Sequence, residues 1–168
     1  MKTNLKAVSF VVVMVGIALF SIGCNKNKTH KDMVALDNTL LFPKGEKLSN
    51  KWFVGDAFLQ PLVSRDKNND FAVGSVTFEP GARTNWHTHP KGQVLIVTEG
   101  EGIYQEKGKA AQEIKKGDVV TIPEKVKHWH GATAQSKMIH IAITNYQGEE
   151  NVTWLDPVTE QEFSQANK

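Results

Sequence analysis

The sequence contains a single cysteine, Cys24, among its 168 residues. One cysteine cannot form an internal disulfide, and this one lies ahead of the segment that is expected to fold. A cysteine nucleophile and a thiolate metal cluster are therefore excluded from the predicted domain. Any metal site there has to use histidine nitrogens and oxygen ligands.

The sequence also lacks a large excess of charge of either sign. Lysine and arginine together number 20, aspartate and glutamate number 18, and the formal net charge is +2. Lys2 and Lys6 lie in an N-terminal segment that is expected to be removed, so the rest of the chain has equal numbers of basic and acidic side chains. Because the balance is neutral and no basic tract is present, nucleic acid is not a predicted partner.

One apolar run occurs at the N-terminus, over residues 7–22, and it ends in "SIGC" at Cys24. It is shorter than the roughly 20 residues that a membrane-spanning helix needs. The segment resembles a bacterial lipoprotein signal. This resemblance implies removal of residues 1–23, a lipid on Cys24, a tether over residues 24–38 and a membrane-anchored domain outside the cytoplasm. The alternative is an uncleaved N-terminal anchor, which leaves the domain on the same side.

No long amphipathic helical pattern is found, and short runs of β-branched and aromatic residues occur instead. Gly, Pro, Asn and Asp separate most of these runs, which predicts an all-β, antiparallel sandwich or barrel over residues 39–165. One short helix is expected over residues 156–165, capped by Asp156 with Pro157 at its first position. The predicted strands cover residues 52–63, 71–80, 93–100, 102–108, 118–123 and 137–146.

Two His-x-His pairs are the candidates for metal binding. Alternate residues of a strand share a face, so His87 and His89 point the same way, and Gln93 returns toward them after a Pro/Gly turn. His128 and His130 repeat the pattern. One such pair alone is more often a pair of exposed or hydrogen-bonded histidines, but two pairs near turns favour a metal site. Three histidines and one oxygen donor suit manganese, iron, nickel, copper or zinc.

These residues occur in the spacing of two known motifs. Gly-x5-His-x-His-x3-Glu-x6-Gly is matched with glutamine for glutamate, and Gly-x5-Pro-x-Gly-x2-His-x3-Asn is matched with Lys125 and Ala132 at its third and last positions. The matching residues are Gly81, His87, His89, Gln93 and Gly100, then Gly117, Pro123 and His128. The sequence therefore resembles the cupin superfamily, which implies an antiparallel double-stranded β-helix, or jelly-roll barrel. The resemblance also implies a divalent ion bound by His87, His89, Gln93 and His128.

Gln93 occupies the position of the motif's glutamate, and glutamine there is typical of a subgroup of the superfamily. Its neutral amide oxygen leaves a bound ion more positive than a carboxylate would. "FEPGARTNWHTHPKGQVLIVTEGEG" and "GDVVTIPEKVKHWHGA" are similar to the small cupins that include the manganese-dependent bacterial hydroxynitrile lyases. They are also similar to cupins associated with carboxymuconolactone decarboxylase-like proteins. The resemblance implies Mn(II) and lyase chemistry on a small carbonyl or hydroxy compound. A pocket glutamine of those lyases is matched here by Thr144.

His140 is the candidate catalytic base. In "KMIHIAIT" it shares one strand face with Met138, Ala142 and Thr144, while the isoleucines of residues 139–143 share the other. If the polar face points into the barrel, His140 lies near the metal, and an ordinary histidine pKa near neutrality suits proton transfer. The alternative is a core histidine hydrogen-bonded to the backbone.

For four other residues a structural role is favoured over a direct role in the site. His130 is expected to support the site or the fold rather than to ligate, and Trp86 and Trp129 are expected to pack in the core. Arg83 is expected to brace a loop, with an anionic substrate as the alternative ligand. The isoleucine face needs cover from the second sheet or from a second copy, so a homodimer is a further possibility.

Three functions remain open from the sequence. The first is a metal-dependent lyase in which the metal stabilises negative charge on a substrate oxygen and His140 moves a proton. The second is a dioxygenase of the same fold that uses a redox metal. The third is a membrane-tethered module that binds a small ligand without catalysis.

Overall fold

A computed structural model describes residues 40–168 of the chain. The predicted signal segment, Cys24 and the tether lie outside these residues. Within residues 40–168 no helix is both long enough and apolar enough to cross a membrane. The strands are β1 (Glu46–Lys47), β2 (Phe53–Val54), β3 (Ala57–Val63), β4 (Phe71–Phe78), β5 (Arg83–Thr84), β6 (His87–Thr88), β7 (Gln93–Glu106), β8 (Gln112–Lys115), β9 (Val119–Ile122), β10 (His128–Ala132), β11 (Met138–Asn145) and β12 (Thr153–Trp154), and the helix is α1 (Glu160–Ala166).

The strands form two antiparallel sheets that share β7. The first sheet has the order β1, β3, β4, β11, β7, β9. The second has the order β8, β7, β10, β5, β2, and β6 lies between β10 and β12. The predicted all-β jelly-roll architecture with one short C-terminal helix is confirmed.

Strand β7 joins the sheets because it is continuous through the glycines of "EGEG". Its first half pairs with β11 and β9, and its second half pairs with β10 and β8. The prediction of two strands, 93–100 and 102–108, separated by a turn is therefore wrong. Gly100 has φ 73°, a conformation that favours glycine, so the strand bends there and continues into the second sheet.

Two apolar cores lie on opposite faces of the second sheet. The larger core fills the space between the sheets and includes Phe78, Leu95 and Met138. The smaller one contains Trp86, Trp129, Ile103, Val158 and Phe163, where α1 covers the outer face of the second sheet. The tryptophans therefore pack in a core, and the alternation along β10 directs His128 and His130 to the opposite face.

Helix α1 begins three residues later than predicted. Thr159 is its N-cap, and it forms a capping box in which its hydroxyl accepts from the Glu162 amide while the Glu162 carboxylate accepts from the Thr159 amide. The prediction of Asp156 as the cap and Pro157 as the first helical residue is wrong. Val158, which precedes the cap, is buried in the smaller core, so this part of the chain packs against the sheet and the helix begins after it.

The predicted isoleucine face lies on the outside of the first sheet. Its register places Ile141 beside Ser75 of β4 and Ile96 of β7, and Ile143 beside Val94. Ile139 is buried, whereas Ile141 and Ile143 are partly exposed. The second sheet does not cover this face, and a homodimer stays a prediction.

We expect Gly100→Ala to destabilise the domain more than Gly108→Ala. Both glycines have positive φ, which costs an L-residue roughly 1–2 kcal/mol. A Cβ on Gly100 would overlap the Lys137 carbonyl oxygen, whereas a Cβ on Gly108 has no atom within 4 Å. Overpacking adds about 1–3 kcal/mol to the cost at Gly100. Urea unfolding of both variants measures this difference, and equal losses of unfolding free energy would contradict the close packing at the bend.

Candidate metal centre

The structure brings the four predicted metal ligands together between the sheets. His87 lies in β6, His89 directly follows that strand, Gln93 begins β7 and His128 begins β10. Cross-strand pairing of β6 with β10 places His87 opposite His128. The centroid of the His87 ring lies 4.1 Å from that of His128 and 5.0 Å from that of His89. All four side chains are buried.

Backbone carbonyls set the orientation of three imidazoles. Nδ1 of His87, of His89 and of His128 each donates a hydrogen bond to a carbonyl oxygen, at 2.9, 2.5 and 2.9 Å. A carbonyl can only accept, so each Nδ1 carries the proton and each Nε2 keeps its lone pair. This is the usual support of a metal-binding histidine. The accepting carbonyls belong to Asn85, Asn151 and Val126, respectively.

Three of the inward-facing acceptor atoms are buried without a partner. Within residues 40–168, Nε2 of His89, Nε2 of His128 and Oε1 of Gln93 have no hydrogen-bond partner. Buried polar atoms without partners are costly, and each of these atoms offers a lone pair. A divalent cation would satisfy all three, so the donor set fits the ion that the sequence motifs imply.

The amide of Gln93 is oriented by a neighbouring strand. Its Nε2 donates a hydrogen bond of 2.9 Å to Oγ1 of Thr144 in β11. With the nitrogen held by Thr144, the oxygen of the amide is the atom that faces the histidines.

His130 belongs to a second, overlapping group. The ligand atoms of His87, His128 and His130 all lie within 4.8 Å of one another, so this three-histidine group could hold a divalent metal ion. The ring of His130 is nearly parallel to that of His128, at 12° and a centroid distance of 5.9 Å. Among the described residues, however, Nδ1 of His130 has no carbonyl or other partner. The two groups share two histidines and differ in the third.

Sequence spacing also separates these groups. His89 lies within the first motif and carries the carbonyl support, whereas His130 lies two residues after a motif histidine and lacks that support. The carbonyl support therefore favours His89 over His130 as the third histidine ligand.

His140 lies deeper in the same space. Its ring is fully buried, is stacked on Phe78 at 5.6 Å and 11°, and meets the edge of His130 at 5.0 Å. Neither of its ring nitrogens has a hydrogen-bond partner within residues 40–168, so it is not the backbone-bonded core histidine of the alternative interpretation. Burial lowers its pKa to about 3, which differs from the value near neutrality expected from sequence.

The other buried histidines are neutral for the same reason. Burial lowers the pKa of His128 to about 4, and it lowers the pKa of His87 and His130 well below the ordinary value. Neighbouring imidazoles add to the effect, because a second positive charge in this space would be repelled. The histidine cluster is therefore uncharged at neutral pH and can accept a cation.

A cavity of about 450 Å³ leads to these histidines. Its walls are mostly apolar, and Trp52 stacks on Trp154 at 5.7 Å, with Phe53 against the edge of Trp154 at 5.3 Å. The ring of Trp154 in turn lies 4.9 Å from that of His87. This aromatic wall cannot be recognised from the sequence, because its members lie at opposite ends of the domain and belong to no spaced motif.

Arg83 does not face the cavity. It is 3% exposed, forms an ion pair with Glu160 at 2.6 Å, donates to the Val158 carbonyl and lies over the Phe163 ring. The arginine therefore attaches the C-terminal helix to the second sheet, in agreement with the bracing role expected from sequence.

One departure from the second motif has a structural consequence. Lys125 stands where the motif has glycine, and it is the one non-glycine residue with positive φ, 63°, within residues 40–168. Its amide donates to the carbonyl of His89, and the next carbonyl, that of Val126, accepts from His128. Lys125 therefore holds a backbone conformation that favours glycine, and the chain accepts the strain of an L-residue there.

Comparisons with known proteins agree with the motifs. A family model described as a cupin domain matches residues 74–144. The (R)-mandelonitrile lyase of Granulicella tundricola is 46% identical over 112 residues, which cover 67% of this chain and 86% of that protein.

The chain is also similar to solved structures of cupin proteins. A cupin-like protein from Thermotoga maritima has 47% sequence identity and a TM-score of 0.73, and the match covers 76% of this chain and 97% of that chain. A protein described as a predicted oxalate decarboxylase from the same organism has 22% identity and a TM-score of 0.54, with coverage of 66% and 91%, which shows the fold alone. By its fold, its motifs and these relatives, the chain belongs to the cupin family.

Proposed function

We propose that this protein is a metal-dependent lyase that cleaves aromatic cyanohydrins of the mandelonitrile type. The observation that carries the proposal is the set of unpaired, buried acceptor atoms of His89, Gln93 and His128, together with the neutral His140 deeper in the same space. The similarity to a protein named (R)-mandelonitrile lyase supports the same reaction class. The signal-like segment and Cys24 support an exported, membrane-anchored location.

The proposed ligands are His87, His89, Gln93 and His128. This set consists entirely of neutral donors, and Mn(II) is the proposed ion. When bound, such an ion supplies Lewis acidity to a substrate oxygen.

The protein itself provides the proton acceptor. In the proposed reaction, a nitrogen of His140 accepts the hydroxyl proton, the bond between the carbon and the nitrile breaks, and the electron pair leaves with cyanide while the carbonyl forms. Burial keeps His140 neutral before the reaction, so the lone pair of its one unprotonated ring nitrogen is available. The cyanide anion then takes the proton from the imidazolium, which restores the neutral histidine and gives hydrogen cyanide.

The cavity walls fit the apolar part of such a substrate. Trp52, Phe53 and Trp154 form an aromatic surface next to His87. A phenyl ring gains contact area and offset stacking there, while its hydroxyl-bearing carbon lies toward the histidines. The apolar walls also exclude water from the reacting atoms.

The first prediction separates the two histidine groups. His89→Ala removes a ligand, so it should lower the affinity for Mn²⁺ by at least about 100-fold. His130→Ala removes at most a supporting residue, and replacing such a residue lowers metal affinity by about 10-fold at the least affected sites. It should therefore lower the affinity for Mn²⁺ by less than about 10-fold. Calorimetric titration of both variants with Mn²⁺ measures this order. The reverse order would assign the centre to His87, His128 and His130.

The second prediction concerns the stability of the metal-free domain. The pKa of His140 is about 3 in the folded state against 6.5 ordinarily, so the unfolded state binds more protons as the pH falls below 6.5, and stability is lost from there down to about pH 3. As the pH falls from 7 to 5, protonation of this histidine in the unfolded state should by itself lower the unfolding free energy by about 2 kcal/mol. His140→Leu should remove that part of the pH dependence in urea unfolding, and an unchanged dependence would refute the buried, neutral state.

The third prediction concerns the reaction. Protein loaded with Mn²⁺ should release benzaldehyde and cyanide from mandelonitrile above the spontaneous rate, equally well under argon and in air. His140→Ala should reduce kcat by roughly 10²- to 10⁴-fold, the usual contribution of a general base, while Mn²⁺ stays bound. If cyanide is released only at the spontaneous rate and the protein consumes oxygen with a phenolic or diketone substrate, the lyase proposal is refuted and a dioxygenase function replaces it.

A further inference from the structure

The pairing of Gln93 with Thr144 carries an inference that depends on the proposed metal centre. The register of β7 and β11 places these two residues directly opposite each other. Both side chains point between the sheets, and they are 6% and 9% exposed. Opposite residues of antiparallel strands have Cβ atoms about 4.5–5.5 Å apart, which is within reach for a short hydroxyl and a long amide.

A glutamine ligand has a problem that a glutamate does not have. Its amide has one oxygen that can bind a cation and one NH₂ group that cannot, and the two ends have almost the same shape. If the amide turned by half a rotation, the NH₂ group would face the ion. A protein that uses glutamine as a ligand therefore needs an acceptor for the NH₂ group on the side away from the metal.

Thr144 is such an acceptor. Its Oγ1 receives the hydrogen bond from Gln93 Nε2 at 2.9 Å, and the opposite end of the amide, Oε1, is buried without a partner among the described residues. Threonine is branched at Cβ, so its hydroxyl has few rotamers in a strand. On the other side of Thr144, β4 presents the small side chain of Ala72.

We propose that Thr144 is a positioning residue that holds the amide of Gln93 with its oxygen toward the metal ion. In this role Thr144 is not itself a ligand, and it acts on the ion through its hydrogen bond with Gln93. A residue of this kind next to a ligand typically contributes 10- to 100-fold to metal affinity.

The test compares two conservative variants. Thr144→Val keeps the shape of the side chain but removes the acceptor, so the affinity for Mn²⁺ should fall about 10- to 100-fold. Thr144→Ser keeps the hydroxyl and should stay within about threefold of the wild type, since the supporting bond of Gln93 is retained. Calorimetric titration with Mn²⁺, without substrate, gives these affinities, and urea unfolding of the metal-free proteins shows whether each variant folds.

A double-mutant cycle separates positioning from a general structural effect. In the Gln93→Ala background the amide is gone, so adding Thr144→Val should not weaken Mn²⁺ binding further. An equal loss in both backgrounds, or a Thr144→Val variant that binds like the wild type, would overturn the inference.

Because no substrate is present, the outcome does not depend on the lyase reaction. A wild type that binds Mn²⁺ but cleaves no cyanohydrin would refute the proposed reaction while the comparison of Thr144 variants still decides the positioning role. A wild type that binds no Mn²⁺ would refute both the proposed centre and the role of Thr144 in it.

Discussion

The path of strand β7 through both sheets is the constraint on which the site depends. Its first residue is Gln93, its first half pairs with the strand that carries His140 and Thr144, and its second half pairs with the strand that carries His128 and His130. A single strand can do this only if it bends sharply. The bend uses Gly100, at positive φ, and Gly102, where a Cβ would overlap Met138 and the Gly131 carbonyl, so the glycines contribute to the site without lying in it.

The site brings together buried polar groups that lack hydrogen-bond partners among the described residues. Neutral imidazoles, an amide oxygen and a cavity with aromatic walls lie together, and several of the buried acceptors have no partner within residues 40–168. Such groups reduce stability, so they are expected where function requires them. The surrounding structure compensates with hydrogen bonds to the other end of the same side chains, at Nδ1 of three histidines and at Nε2 of Gln93.

Part of this organisation was accessible from the sequence. The spacing of His87, His89 and Gln93 predicts convergence, because strand alternation and a short turn act over a few residues. The alternation of polar and isoleucine positions also predicted the two faces of β11, and the structure shows that the polar face points inward. The start of helix α1 was predicted wrongly, since Asp156 and Thr159 are both acceptable caps and only the burial of Val158 in the smaller core chooses between them.

The sequence by itself determined the all-β class, the candidate ligands and the position of His140 on the polar face of its strand, because each depends on residue type and near-neighbour spacing. Only the tertiary structure decided which carbonyls orient the imidazoles, that Thr144 supports Gln93, that burial lowers the pKa of His140, and that Trp52 and Trp154 form one wall. These features join residues far apart in the chain, such as His89 with Asn151, and their contact depends on strand register and burial. Neither quantity can be read from local sequence pattern.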